Sequence, residues 1–155
     1  YGDGYVRISW APTPSPPGPV PPPNPVDPKP VDPKPVDPVK PAPIPAPGLR
    51  VLMVYDINSL ASMPVQQLQV LYDQSLRDYM SSACVKGDKG TPEWRIYDKS
   101  VELSNESEIW KAAMTLPRSS VPWIIVSNGK TGTEQPLPAT VEATRALIQK
   151  YAEAK

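Results

Sequence analysis

Cys84 is the single thiol of a 155-residue chain that contains no histidine. These two facts bound the available chemistry. Without imidazole there is no Ser-His-Asp or Cys-His nucleophile pair and no histidine metal ligand. With one cysteine there is no internal disulfide, no Cys-x-x-Cys couple and no cysteine zinc site. Ser59 and Ser62 have the spacing of such a couple, but a hydroxyl has no accessible thiolate chemistry, and helix capping accounts for both. Cys84 closes an apolar helical pattern and reads as a small buried hydrophobe. Asp56 and Asp98 each end an apolar run, and a carboxylate pair is general acid–base chemistry; nothing in the sequence holds the two together. Trp94, Trp110 and Trp123 offer stacking faces for a sugar or base, and core packing is the simpler account. Ser127-Asn128-Gly129 and Lys86-Gly87-Asp88-Lys89-Gly90 are turns without the strand–loop–helix setting of a phosphate loop. The expected catalytic residues, cofactors and metals are therefore none.

The elements that must position these residues occupy only part of the chain. Of 24 prolines, eighteen fall between Pro12 and Pro47. The chain thus divides into a segment at 1–10, a proline-rich arm at 11–48 and a globular domain at 49–155. Sixteen basic residues balance sixteen acidic ones, so no basic patch points to nucleic acid. No apolar run reaches the roughly 20 residues that span a bilayer, and no signal peptide is visible. A start at Tyr1 suits a processed precursor or a fragment alike. Asn105-Glu106-Ser107 is a glycosylation sequon, meaningful only in a secreted setting.

In the first segment Val6, Ile8 and Trp10 alternate with Arg7 and Ser9, which is strand period. One short strand is not stable alone in water, so it is expected to pair with its own domain, another copy or a partner. The arm carries Val26-Asp27-Pro28-Lys29-Pro30, its repeat Val31-Asp32-Pro33-Lys34-Pro35, and a decayed copy, Val36-Asp37-Pro38-Val39-Lys40-Pro41. Proline at almost every second position leaves polyproline II as the regular conformation. At about 3.1 Å per residue the arm reaches on the order of 120 Å, against a domain radius of gyration of about 13 Å. It serves as a semi-rigid spacer or as a docking segment, with Pro28, Lys29, Pro33, Lys34, Pro38 and Lys40 as its candidate contacts.

The domain reads as alternating elements. Leu49–Ile57 is a buried strand. Ser62 caps a helix with Pro64 in its first turn and Val65, Leu68, Leu71, Tyr72, Leu76, Tyr79, Met80 and Ala83 on its inner face. Trp94–Tyr97 is a strand. Ser104 caps a short helix with Glu106 and Glu108 in its first turn and Ile109, Ala113 and Met114 inward. Val121–Val126 is a strand, Asn128-Gly129 a hairpin turn, and Thr131–Gln135 the return strand. Thr140 caps a last helix. The order β-α-β-α-β-β-α specifies an α/β domain, a mixed four-stranded sheet with flanking helices.

This βαβ-ββα order, with Ser120-Val121-Pro122-Trp123-Ile124-Ile125-Val126-Ser127-Asn128-Gly129-Lys130, resembles the thioredoxin-like fold family. The resemblance implies that Pro122 opens the third strand with a cis peptide bond and that Gly132 occupies the family's glycine in the next strand. The family's redox pair would fall within Asn58–Pro64, where no cysteine stands, so the resemblance implies a redox-dead scaffold. It also implies a surviving peptide-binding groove at Val121, Pro122 and Trp123. The expected function is a non-catalytic structural or interaction protein. The proline-rich arm tethers its domain within a larger extracellular, envelope or virion assembly rather than leaving it free in the cytoplasm. Its expected partners are proteins or other copies of itself, reached through the N-terminal strand and the arm. The alternative is a thiol-dependent redox or peptide-binding protein that acts through Cys84 or the Pro122 groove.

Overall fold

A computed structural model of the chain describes residues 9–21 and 41–154. The chain divides into two units, with the break between residues 35 and 36. In the first, residues 9–21 are exposed throughout and form neither helix nor strand. Ser9 and Trp10 are not in a strand, and Trp10 is 90% exposed, so that end of the predicted segment is unpaired among the described residues. Val6 and Ile8 lie outside the described residues, as do Pro28, Lys29, Pro33, Lys34, Pro38, Lys40 and the repeats that carry them.

The second unit is an α/β domain with a mixed four-stranded sheet. Its strands are β1 (Arg50–Tyr55), β2 (Trp94–Asp98), β3 (Trp123–Ser127) and β4 (Gly132–Pro136). Their spatial order is β2-β1-β3-β4. β1 runs parallel to β2 and antiparallel to β3, and β4 is antiparallel to β3. Around the sheet lie α1 (Val65–Tyr72), α2 (Gln74–Ala83), α3 (Glu108–Thr115) and α4 (Val141–Glu153).

Central strands are buried on both faces, which explains the continuous apolar run Val51-Leu52-Met53-Val54. Strand alternation sends Val51 and Met53 to one core, with Ile124, Val126, Val70, Leu71, Leu76, Met80 and Ile148. It sends Leu52 and Val54 to the other, with Ile125, Trp123, and Trp110 and Ala113 of α3. Ile44 belongs to that second core at 2% exposure. Packing therefore begins before residue 49, inside the stretch that composition assigns to the arm.

Three expected boundaries move. The helix expected from Ser62 onward is two helices, broken at Asp73, whose carboxylate accepts from the Leu76 amide at 2.7 Å and caps α2. An aspartate at this position satisfies an orphan N–H better than it sustains a helix interior. Val65 and Tyr72, the first and last residues of α1, are exposed rather than inward, and Val70 and Leu71 are its buried residues. Ser62 ends a short 3-10 helix, Ile57–Ser62, and Pro64 takes the N-cap position of α1. Ser107, not Ser104, precedes α3; Glu108 is then the acid in its first turn, and Glu106 lies before it, 3.7 Å from Arg95. Thr140 caps α4 as expected, accepting from the Ala143 amide at 3.2 Å. The Val121–Pro122 peptide bond is cis. Among the described residues no helix is long and apolar enough to cross a membrane.

Candidate functional site

The parallel register sets Tyr55 opposite Asp98, and this brings together the two carboxylates that the sequence leaves apart. Asp56 accepts from the Asn58 amide at 3.0 Å, from Ser59 Oγ at 3.2 Å and from Lys99 Nζ at 2.7 Å. Asp98 accepts from the Ile57 amide at 2.7 Å and the Ser100 amide at 2.8 Å. The Lys99 ammonium, then the Asn58 amide, hold the Asp56 carboxyl below the usual range. The Ile57 and Ser100 amides do the same for Asp98. Every donor stabilises the charged form, so both groups are held ionised. They cap a connection; neither is poised to lend a proton at neutral pH. Ser59 is consumed in that cap, and Ser62 Oγ donates to the Ser59 carbonyl at 3.0 Å.

Cys84 forms the C-cap of α2 and is 4% exposed. Burial pushes its thiol up to about 12, with the Arg50 charge working weakly the other way. A thiol in that state carries almost no thiolate at neutral pH. Near Pro122, the carbonyl of that residue accepts from the Leu137 amide at 3.0 Å. Val121 packs half-buried on the second core. Trp123 lines an open cleft of about 470 Å³ with Pro117, Arg118, Ser119 and Glu134, whereas Val121 and Pro122 do not line it.

The most elaborate polar arrangement lies elsewhere, under Pro43-Ile44-Pro45-Ala46-Pro47. The Ile44 side chain is sunk among Leu52, Val54, Trp110 and Ile125. Both backbone groups of Ile44 bond one hydroxyl: its N–H donates to Ser127 Oγ at 3.3 Å, and Ser127 Oγ donates to its carbonyl at 2.7 Å. Arg50 Nη1 donates to the carbonyls of Ala46 at 3.0 Å, Pro47 at 2.5 Å and Gly48 at 3.4 Å. The Gly48 amide donates to the Asn128 carbonyl at 3.2 Å. Gly129, at φ +88°, admits this strap, residues 43–47, closely: a Cβ there would meet the Ala46 oxygen at 2.6 Å. A proline-rich stretch has few amides, so a seat for it must read carbonyls and fill one apolar slot. Arg50 and Ser127 do the first and the Ile44 pocket does the second.

Charge continues from this seat along the sheet. Arg50 Nε lies 3.6 Å from Glu93, Glu93 lies 3.8 Å from Arg95, and the Arg95 guanidinium stands 5.1 Å from the Trp110 ring centre. Sequence reasoning does not select Ile44, Arg50 or Ser127 as site residues. The available signal is a lone β-branched residue in an otherwise Pro/Ala run, beside a strand that begins with arginine. Among the described residues no group of three or more His, Cys, Asp or Glu could hold a metal ion. Compared with family models, curated proteins and solved structures, the chain finds no match.

Proposed function

We propose that the chain is a non-catalytic interaction component of a larger assembly, a thioredoxin-like domain mounted on a proline-rich arm. The observation that carries the reading is the strap seat: Arg50, Ser127 and the Ile44 pocket build the C-terminal end of the proline-rich stretch into the core. A stretch that only trails from its domain needs no dedicated seat, whereas one that links the domain to a partner needs a firm point of attachment. The strand order, the proline before β3 and the Asn128-Gly129 turn support the thioredoxin-like assignment. The protonated, buried Cys84 and the committed Asp56 and Asp98 support a role without catalysis. A surface fibre, an envelope complex or a virus particle is the setting that suits such a part.

Crosslinking mass spectrometry on the native source tests this. Lys29, Lys34 and Lys40 are expected to crosslink to another protein or to another copy. Crosslinks confined to one isolated chain would overturn the reading.

A further inference from the structure

We propose that β2 is an acceptor edge for residues 5–10 of a second copy of this chain; the proposal rests on the assembly reading above and names its contact. Backbone parity decides which groups of β2 point away from the sheet. The Val51 amide donates to the Glu93 carbonyl at 3.4 Å, and the Lys99 amide donates to the Tyr55 carbonyl at 2.7 Å. In a parallel ladder alternate residues of a strand turn their polar groups to one neighbour. Glu93, Arg95, Tyr97 and Lys99 therefore face β1, and Trp94, Ile96 and Asp98 turn their backbone groups outward. Part of this outer row is already used. The Trp94 amide bonds the Pro92 carbonyl, the Trp94 carbonyl takes Arg95 Nη1 at 2.9 Å, and the Asp98 carbonyl takes the Val101 amide at 3.1 Å. The Ile96 N–H, the Ile96 carbonyl and the Asp98 N–H have no partner among the described residues. They form a donor–acceptor–donor row on an edge strand with no proline in it.

The opposite edge is different. The Asn128 amide bonds the Thr131 carbonyl and the Leu137 amide bonds the Pro122 carbonyl. By the same parity Gly132, Glu134 and Pro136 face outward from β4. Pro136 has no N–H to offer, and Glu134 puts a charge at the middle of the edge. Both are devices that blunt an edge against pairing. β2 has neither a proline nor a carboxylate at its outward central position, which is Ile96.

The occupant follows from the rest of the chain. Tyr5-Val6-Arg7-Ile8-Ser9-Trp10 has strand period and no proline, and at its end Trp10 is 90% exposed. Between it and the seated stretch that begins at Pro41 stand fourteen prolines. Proline-rich chain is stiff and extended and reverses direction poorly. That favours delivery of the strand to a neighbouring copy over return to its own domain. The join is strand addition, in which main-chain hydrogen bonds supply affinity and alternate side chains supply specificity.

Amide hydrogen exchange on the full chain tests the contact. At high concentration the Ile96 and Asp98 amides should exchange about tenfold more slowly than on dilution. Ile8→Pro, placed far from the domain in sequence, should abolish the slowing. A peptide of residues 1–10 added to the Ile8→Pro chain should restore it. Slowing that is independent of concentration would mean pairing within one chain and would overturn the proposal. Slowing at Glu134 in place of Ile96 would overturn the choice of edge. Association that survives Ile8→Pro with Ile96 and Asp98 unprotected would overturn the proposal while leaving the assembly reading standing. Loss of the lysine crosslinks is what would remove that reading.

Discussion

Ser127 does three things with one hydroxyl. It donates to the Ile44 carbonyl, accepts from the Ile44 amide, and lies 3.4 Å from the Gly129 amide at the hairpin turn. It is fully buried. Ser127→Ala would leave both backbone groups of Ile44 without a partner, and a buried orphan group costs about 1–3 kcal/mol. Ile44→Ala removes the side chain from a packed slot, a loss of about 2–5 kcal/mol. Ile44→Val keeps the branch and should cost about 0.5–1.5 kcal/mol. Because both changes release the same strap, the double variant should fall short of the sum. Urea denaturation of the unaltered chain, Ser127→Ala, Ile44→Ala and their combination measures this. Full additivity would mean that the hydroxyl and the side chain act independently, and the seat would lose its status as a unit.

At the scale of elements, the parallel pairing of β1 with β2 creates the Asp56–Lys99–Asp98 cluster, and its charges predict a pH response. Asp56 and Asp98 titrate below the ordinary 3.8 in the folded chain. Each therefore adds stability above that value and loses it as pH falls through the folded one. Lys99, held above 10.5 first by its hydrogen bond to Asp56, does the reverse: its contribution is full below 10.5 and fades as pH rises through the folded value. Asp98→Asn should flatten the acid limb of melting temperature against pH, and Lys99→Met should flatten the alkaline limb. Unchanged limbs in both variants would show that the cluster carries no net stability. This cluster also shows where sequence stops being informative. The strand-end aspartates are visible in the chain, but their meeting depends on a register that joins residues 43 positions apart. The strand order of types and the Thr140 cap are legible because each is a local pattern. The break at Asp73 is hidden, since apolar spacing continues across it and only the capping bond reveals the stop. The Ile44 seat is hidden for a composition reason: prolines around it read as arm, and the Ser127 partner lies 83 residues away.

At the scale of the whole molecule, the seat decides where the arm ends, and truncation measures that position. If the arm stopped at residue 48, removal of 1–48 would leave the domain intact. Ile44 in the second core, and Arg50 bonded to the carbonyls of Ala46, Pro47 and Gly48, place the end earlier. A chain starting at Pro41 should denature like the full chain, because it keeps every one of these contacts. A chain starting at Leu49 empties the Ile44 slot and strips Arg50 of its acceptors while Glu93 still lies 3.6 Å away. The empty slot alone corresponds to about 2–5 kcal/mol, a large share of the 5–15 kcal/mol that typical domains possess. Adding a peptide of residues 41–48 should recover part of the loss, with an efficiency limited by the effective concentration that the covalent link supplies. If the chain starting at Leu49 proves as stable as the one starting at Pro41, the strap only passes over the domain. The domain's packing would then begin at Leu49, and the seat that carries the assembly reading would be lost as an attachment point.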